Sequence, residues 1–374
     1  MQLQAIECLM EAQEILQDIV FVILYGVVMG LSIAAALYLL LRRSNAIAPG
    51  VTPPLRLRLW AAAIMLENVF SHVLWLWYFC HPSALVYIIV CALDFLLLIP
   101  IIAGILLSML QDRRRPVWPV AVALVPAIVL TALNIIYKEN AFLTWQSIYV
   151  IAVYAVLMVY MYFAVRQYGR WLRDNYVDLE NKEVGQSFLI LAVFMLLSVL
   201  YLFTSVQTKV LIYLLEFVCV IIMGLVLWRV ETLQSLSESV TADVEEPAEE
   251  ARKTSAPTAT PTKMDILLKK HCEDNQLYLQ NDLTLAQLAN IIGTNRTYLS
   301  QHFAQQGLTF NAYINSLRID HFIRLYREAA AESRIVTAQQ FSFKSGFHSY
   351  STFSAAFKQK MGKTVKAWMQ ALEE

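Results

Sequence analysis

What the chain lacks narrows the field first. Its five cysteines, Cys8, Cys80, Cys91, Cys219 and Cys272, form no Cys-x-x-Cys pair and have no histidine at ligand spacing, so no metal site is expected. There is no glycine-rich phosphate loop, no His-Glu-x-x-His and no Gly-x-Ser-x-Gly. Nothing resembles a kinase or a phosphate-receiver domain. The chain therefore shows no enzyme signature and calls for no cofactor. Residues 1–18 hold Glu7, Glu11, Glu14 and Asp18 but no basic residue, and a secretory leader needs a positive start. Leu3, Ile6, Met10 and Leu16 point instead to a short amphipathic helix at a membrane surface on the outer side.

What is present is mostly apolar. Of 374 residues 58% are hydrophobic and the mean hydropathy is +0.52, above the range of soluble domains. Seven apolar runs, 19–41, 59–80, 84–110, 117–137, 146–165, 187–206 and 210–228, are each long enough for a bilayer core of about 30 Å. One set of connections holds Arg42, Arg43, Arg56, Arg58, Arg113, Arg114, Arg115, Arg166, Arg170, Arg173, Lys182 and Arg229. The opposite set holds only Lys138 and Lys209. This bias places the first set in the cytoplasm, the N-terminus outside and the C-terminus inside. Past Arg229 the last helix continues, and Val230, Leu233 and Val240 form a weak dimer seam interrupted by Ser237.

Formal charge is balanced overall but unevenly spread. Residues 231–262 carry seven acidic and two basic residues, among Pro, Thr and Ala, and read as a disordered cytoplasmic linker. From Lys263 onward there are thirteen Lys/Arg and nine Asp/Glu. The organisation expected is an extracytoplasmic N-terminus at 1–18, a seven-helix transmembrane bundle at 19–230, the linker at 231–262 and an all-α domain at 263–374.

Ionisable groups inside the apolar runs are costly and face a bundle interior. They are Glu67, His72, Asp94 and Glu216, with Asn68 one helical turn from His72. His72 and Asp94 stand equally far from the short turn at Pro82-Ser83, so they are expected at one depth. Such a set is either a signal site for an amine or a proton, or a hydrogen-bonded packing device in which Asp94 holds His72.

The C-terminal part carries the most specific pattern. Leu285, Leu288, Ala289 and Ile292 recur at helical spacing, and Gly293 follows where a helix ends in a left-handed turn. Thr294 and Asn295 cap a second helix, with Tyr298, Leu299 and Phe303 inward and Arg296, Thr297, Ser300 and Gln301 outward. The pattern repeats: Phe341 and Phe343 precede Ser345-Gly346-Phe347, His348 and Ser349 start a new helix, and Phe353 and Phe357 mark its inner face. A long helix at Phe310–Arg327 lies between. This reads as two helix-turn-helix units in tandem.

Here the chain resembles the AraC/XylS-type transcription regulators, over roughly residues 264–370. The matching residues are the Leu-Ala-x-x-x-Gly run ending at Gly293, Tyr298-Leu299-Ser300-x-x-Phe303, Gly307, Tyr313, Leu317-Arg318, Gly346-Phe347, Phe353-Ser354, Phe357-Lys358 and Gly362. Phe341-Ser342, Gln301, Ala355 and Val365 depart from the family's usual residues. The resemblance implies that each second helix enters a major groove, the two lying about one DNA turn, roughly 34 Å, apart. It implies double-stranded promoter DNA as partner, RNA polymerase as a further one, and a homodimer. Candidate base contacts are Asn295, Arg296, Thr297 and Gln301 in the first unit and His348, Ser349, Tyr350 and Thr352 in the second. Lys344, Lys358, Lys360 and Lys363 are candidates for phosphate. The expectation is a regulator in the bacterial inner membrane that senses a signal and reads DNA within one polypeptide. The rival expectations are a transporter or channel with a regulatory helical module, and a protein-binding module without DNA affinity.

Overall fold

A computed structural model describes residues 17–42, 45–46, 54–137, 140–179, 182–189, 192–193, 209–236, 263–332 and 337–373. Among these there is no strand. The chain divides into two compact units: Met1–Tyr168 with Val184–Glu238, and Gly169–Glu183 with Ser239–Glu374.

The first unit contains α1 (Ile19–Leu41), α2 (Leu55–Cys80), α3 (Ala84–Met109), α4 (Trp118–Ala123), α5 (Val125–Tyr137), most of α6 (Asn140–Asn175) and α7 (Lys209–Thr232). Asp18 caps α1 by accepting from the amides of Val20 and Phe21, and Ser83 caps α3 in the same way. The fourth apolar run is interrupted between α4 and α5, at Leu124. Pro126 follows, and its missing amide and its ring break the helical ladder one turn upstream. Among the described residues six helices, counting α4 with α5 as one, are long and apolar enough to cross a membrane. Of the sixth run, 187–206, only residues 187–189 and 192–193 are described. The 1–18 helix, except residues 17–18, and the linker beyond Leu236 also lie outside the described residues.

Within this unit α1 packs on α2, α2 on α3, and α7 on both α1 and α2. Gly104 of α3 makes one close approach: a Cβ there would collide with the Trp60 ring. The arginines at the helix ends are tied down. Arg58 donates to the Leu39 carbonyl at 2.7 Å, Arg56 to the Arg115 carbonyl at 2.6 Å, and Arg115 grips Asp112 with both terminal nitrogens. Glu231 accepts from the Tyr38 hydroxyl at 2.6 Å and the Ala46 amide. Val230 and Leu233 are fully buried. Ser237 and Val240, the other residues of the expected dimer seam, lie outside the described residues.

The second unit begins with α8 (Lys263–Leu268), a π-turn and a 3-10 turn (Leu277–Leu279). Then come α9 (Leu285–Ile292), α10 (Arg296–Gln305), α11 (Phe310–Ala331), α12 (Ala338–Lys344), α13 (Tyr350–Met361) and α14 (Val365–Glu373). It has two cores. The first gathers Leu268, Cys272, Leu288, Ile292, Leu299 and Phe303. The second is mostly aromatic: Phe322, Phe347, Phe353, Phe357 and Trp368, with the Phe322 and Phe353 rings 4.5 Å apart. The long helix α11 serves both, giving Phe310 and Ile314 to the first and Ile319, Phe322 and Ala329 to the second.

Arg318 sits where the two cores meet. It is 2% exposed, donates to the carbonyls of Tyr278 at 2.6 Å and Gln280 at 2.7 Å, and lies over the Phe347 ring. Burial pulls its guanidinium down to about 10, while the nearby carboxylates of Asp178 and Asp282 support its charge.

Candidate nucleic-acid interface

The two helix-turn-helix units are built alike. Thr284 opens α9 with a capping box: its hydroxyl accepts from the Gln287 amide at 3.2 Å and Gln287 returns the bond to the Thr284 amide at 2.9 Å. Thr337 and Gln340 repeat the device at the start of α12. Each unit then turns at a left-handed glycine placed nine residues after its capping threonine, Gly293 at φ +74° and Gly346 at φ +86°. Neither capping box was read from the sequence, although Thr-x-x-Gln before an apolar run is their signal.

Each second helix has its own cap. Asn295 accepts from the Thr297 amide at 2.6 Å, and Ser349 from the Thr352 amide at 3.3 Å. Asn295 and Ser349 thus hold the helix starts, and Ser349 also bonds the hydroxyls of Ser351 and Thr352. Thr297 and Gln301 are exposed on α10, and His348 and Tyr350 at the start of α13. Thr352 is half-buried. Lys344 ends α12 with its ammonium over the Phe341 ring, and Lys358 is exposed in the last turn of α13. Lys360 is drawn back to α11, bonding the Ser316 carbonyl and the Asp320 carboxylate.

Two expectations about α10 change. Tyr298, expected inward, is 58% exposed and joins Thr297 and Gln301 on the outer face. The inward place is taken by His302, 8% exposed, whose Nε2 meets Asp265 Oδ1 at 3.0 Å. Arg296, expected to point outward, is half-buried. Its Nε and one terminal nitrogen both donate to Asn175 Oδ1, at 2.9 and 2.7 Å.

Tyr25, Ser32, Asn68, His72 and Glu216 of the first unit form a connected set. His72 Nδ1 lies 2.7 Å from the Asn68 carbonyl, so that nitrogen carries a proton. Its Nε2 is 3.2 Å from Glu216 Oε2. This contact joins α2 to α7. The Tyr25 hydroxyl donates to the His72 carbonyl at 2.5 Å, and Asn68 donates to Ser32 Oγ at 2.8 Å. Asp94 does not hold His72, as one reading had it. It accepts from Trp75 Nε1 at 2.6 Å, and the Ser71 hydroxyl also lies beside it. The helix that supplies the partner of His72 is α7, not α3. Glu67 is buried nearby in α2, 8% exposed.

Residues 288–371 match the family model described as a helix-turn-helix domain. With the paired caps, glycine turns and shared α11, the C-terminal segment is a tandem helix-turn-helix domain of the AraC/XylS type. Over 105 residues the chain is 29% identical to an uncharacterized HTH-type transcriptional regulator of Staphylococcus aureus (strain MRSA252). The matched stretch is 28% of this chain and 13% of that relative's length. No solved structure matches the chain.

Proposed function

We propose that the protein is a membrane-anchored, one-component transcription regulator. The observation that carries this is the pair of capped helix-turn-helix units on one shared helix, each presenting exposed polar residues on its second helix. In that reading α10 and α13 enter successive major-groove segments. Thr297, Tyr298 and Gln301 face bases in one, and His348 and Tyr350 in the other. Lys344 and Lys358 take phosphates. The six apolar helices anchor the chain, with outward-facing apolar side chains such as Ile23, Val159 and Phe217 meeting lipid. The arginine bias of the connections supports a cytoplasmic C-terminal domain.

The connected set around His72 and Glu216 is the sensor in this proposal. The contact between His72 and Glu216 ties α2 to α7, and a cationic ligand that takes the Glu216 carboxylate changes the packing of those helices. Sensing and reading then reside in one polypeptide.

The test uses the tagged full chain in cells, cross-linked to DNA, with the bound fragments sequenced. Discrete enriched sites are expected, and the double variant Thr297→Ala, Gln301→Ala removes them without lowering the amount of protein in the membrane. A chain that enriches no site above that variant overturns the proposal.

A further inference from the structure

The C-terminal unit contains a piece of chain from far upstream. Residues Gly169–Glu183 cluster with it. Among the described residues they comprise the end of α6 and residues 176–179 and 182–183 beyond it. Three contacts hold them, and each falls on a different element of the first helix-turn-helix unit.

The first is Asn175 on Arg296, already described. Asn175 Nδ2 donates to the Trp171 carbonyl at 2.6 Å, which fixes the amide so that its oxygen faces the guanidinium. The second is an antiparallel bridge between Tyr176 and Thr284, the residue that caps α9. The third is on α11: Asn311 Nδ2 donates to the Val177 carbonyl at 2.5 Å and to the Tyr176 carbonyl at 3.4 Å. Between them Val177, 1% exposed, plugs into the first core. Asp178 adds its charge to the support of Arg318.

The place these residues occupy matters. Arg296 is the first residue of α10, and the first turn of the second helix is the end that enters a groove. The guanidinium edge bonded to Asn175 is one that could grip a guanine edge or a phosphate. Both cannot hold it at once. Moreover α6 is a single 36-residue helix ending at Asn175, so the stretch is the direct continuation of an apolar helix.

We propose that residues 175–178 form an internal latch, seated on the first helix-turn-helix unit through Arg296, Thr284 and Asn311, that must leave before α10 can engage DNA. This rests on the DNA-reading function proposed above. Displacement of α6 pulls Val177 from the core and frees Arg296. The linker at 231–262 then needs to transmit nothing, because the upstream segment touches the reading helix itself.

The test uses the full chain in lipid nanodiscs and a pool of duplexes with a randomised centre. Cysteines replace Tyr176 and Thr284 in a Cys80→Ser background. Partners across an antiparallel bridge have Cα atoms about 4.5–5.5 Å apart, within reach of a disulfide. Mild oxidation is expected to join them within one chain, mapped by mass spectrometry, and to weaken duplex binding at least about ten-fold relative to the reduced form. Asn175→Ala, which leaves both helices and the core intact, tightens binding by about ten-fold, the scale of one charged hydrogen bond. Absence of the cross-link in the folded chain shows that the segment is not seated, and overturns the latch. Equal, selective binding by oxidised, reduced and Asn175→Ala chains overturns the latch and leaves DNA reading standing. No binding by any of them overturns both.

Discussion

Gly346 offers the sharpest test of how the two helix-turn-helix units are joined. Its φ of +86° already penalises a side chain, by roughly 1–2 kcal/mol. A Cβ there would also fall 2.8 Å from both the Cα and the carbonyl oxygen of Leu279, in the turn held by Arg318. Backbone cannot swing aside as a side chain can, so overpacking adds about 1–3 kcal/mol. Gly293 supplies the control: φ is +74°, yet nothing lies within 4 Å of its added Cβ. Gly293→Ala therefore costs about 1 kcal/mol and Gly346→Ala about 3 kcal/mol. With a slope of about 1.5 kcal/mol per molar urea, the midpoints move by about 0.7 M and about 2 M. Pulse proteolysis of the full chain in detergent across a urea series reads both. Equal shifts for the two variants would refute the close approach of the second unit to Leu279.

Arg318→Met leaves the carbonyls of Tyr278 and Gln280 buried without donors and is expected to cost about 3 kcal/mol. Faster hydrogen exchange at residues 277–281 checks it. Burial, reinforced by the Arg324 guanidinium, pushes the His321 imidazole below its ordinary value of 6.5. Unfolding then takes up a proton in that window, so the domain's stability is complete above about pH 6.5 and falls as pH drops through the folded value. His321→Gln flattens that slope in urea titrations at pH 5 to 7. Tyr298→Ala leaves the unfolding free energy within about 0.5 kcal/mol of wild type, because the ring is exposed, yet weakens duplex binding. Equal binding by the two chains sinks the assignment of Tyr298 to the DNA face.

The parts legible in the sequence were those encoded within a few residues. Gly293 and Gly346 announced their turns because only a left-handed backbone ends those helices. The Phe353 and Phe357 face follows from helical spacing, and both rings are fully buried. Tyr298, expected inward with Leu299 and Phe303, is exposed. His302 won the inward place through Asp265, a partner 37 positions away that no local pattern reveals. Depth counting from Pro82-Ser83 could not foresee that Glu216 would pair with His72, since the count says nothing of which third helix lies alongside. Asn175, Tyr176 and Val177 belong to no local pattern. Their meaning lies wholly in what they touch.

The two heads carried by α11 are not copies. One has Thr297, Tyr298 and Gln301 on its outer face, the other His348 and Tyr350. A rod with unlike ends has a direction. For a chain that reads DNA in the way proposed, a single protomer would recognise a non-palindromic sequence and lie on it one way round. A promoter could then fix which side of the protein faces the transcription start, with no second copy needed to set the orientation.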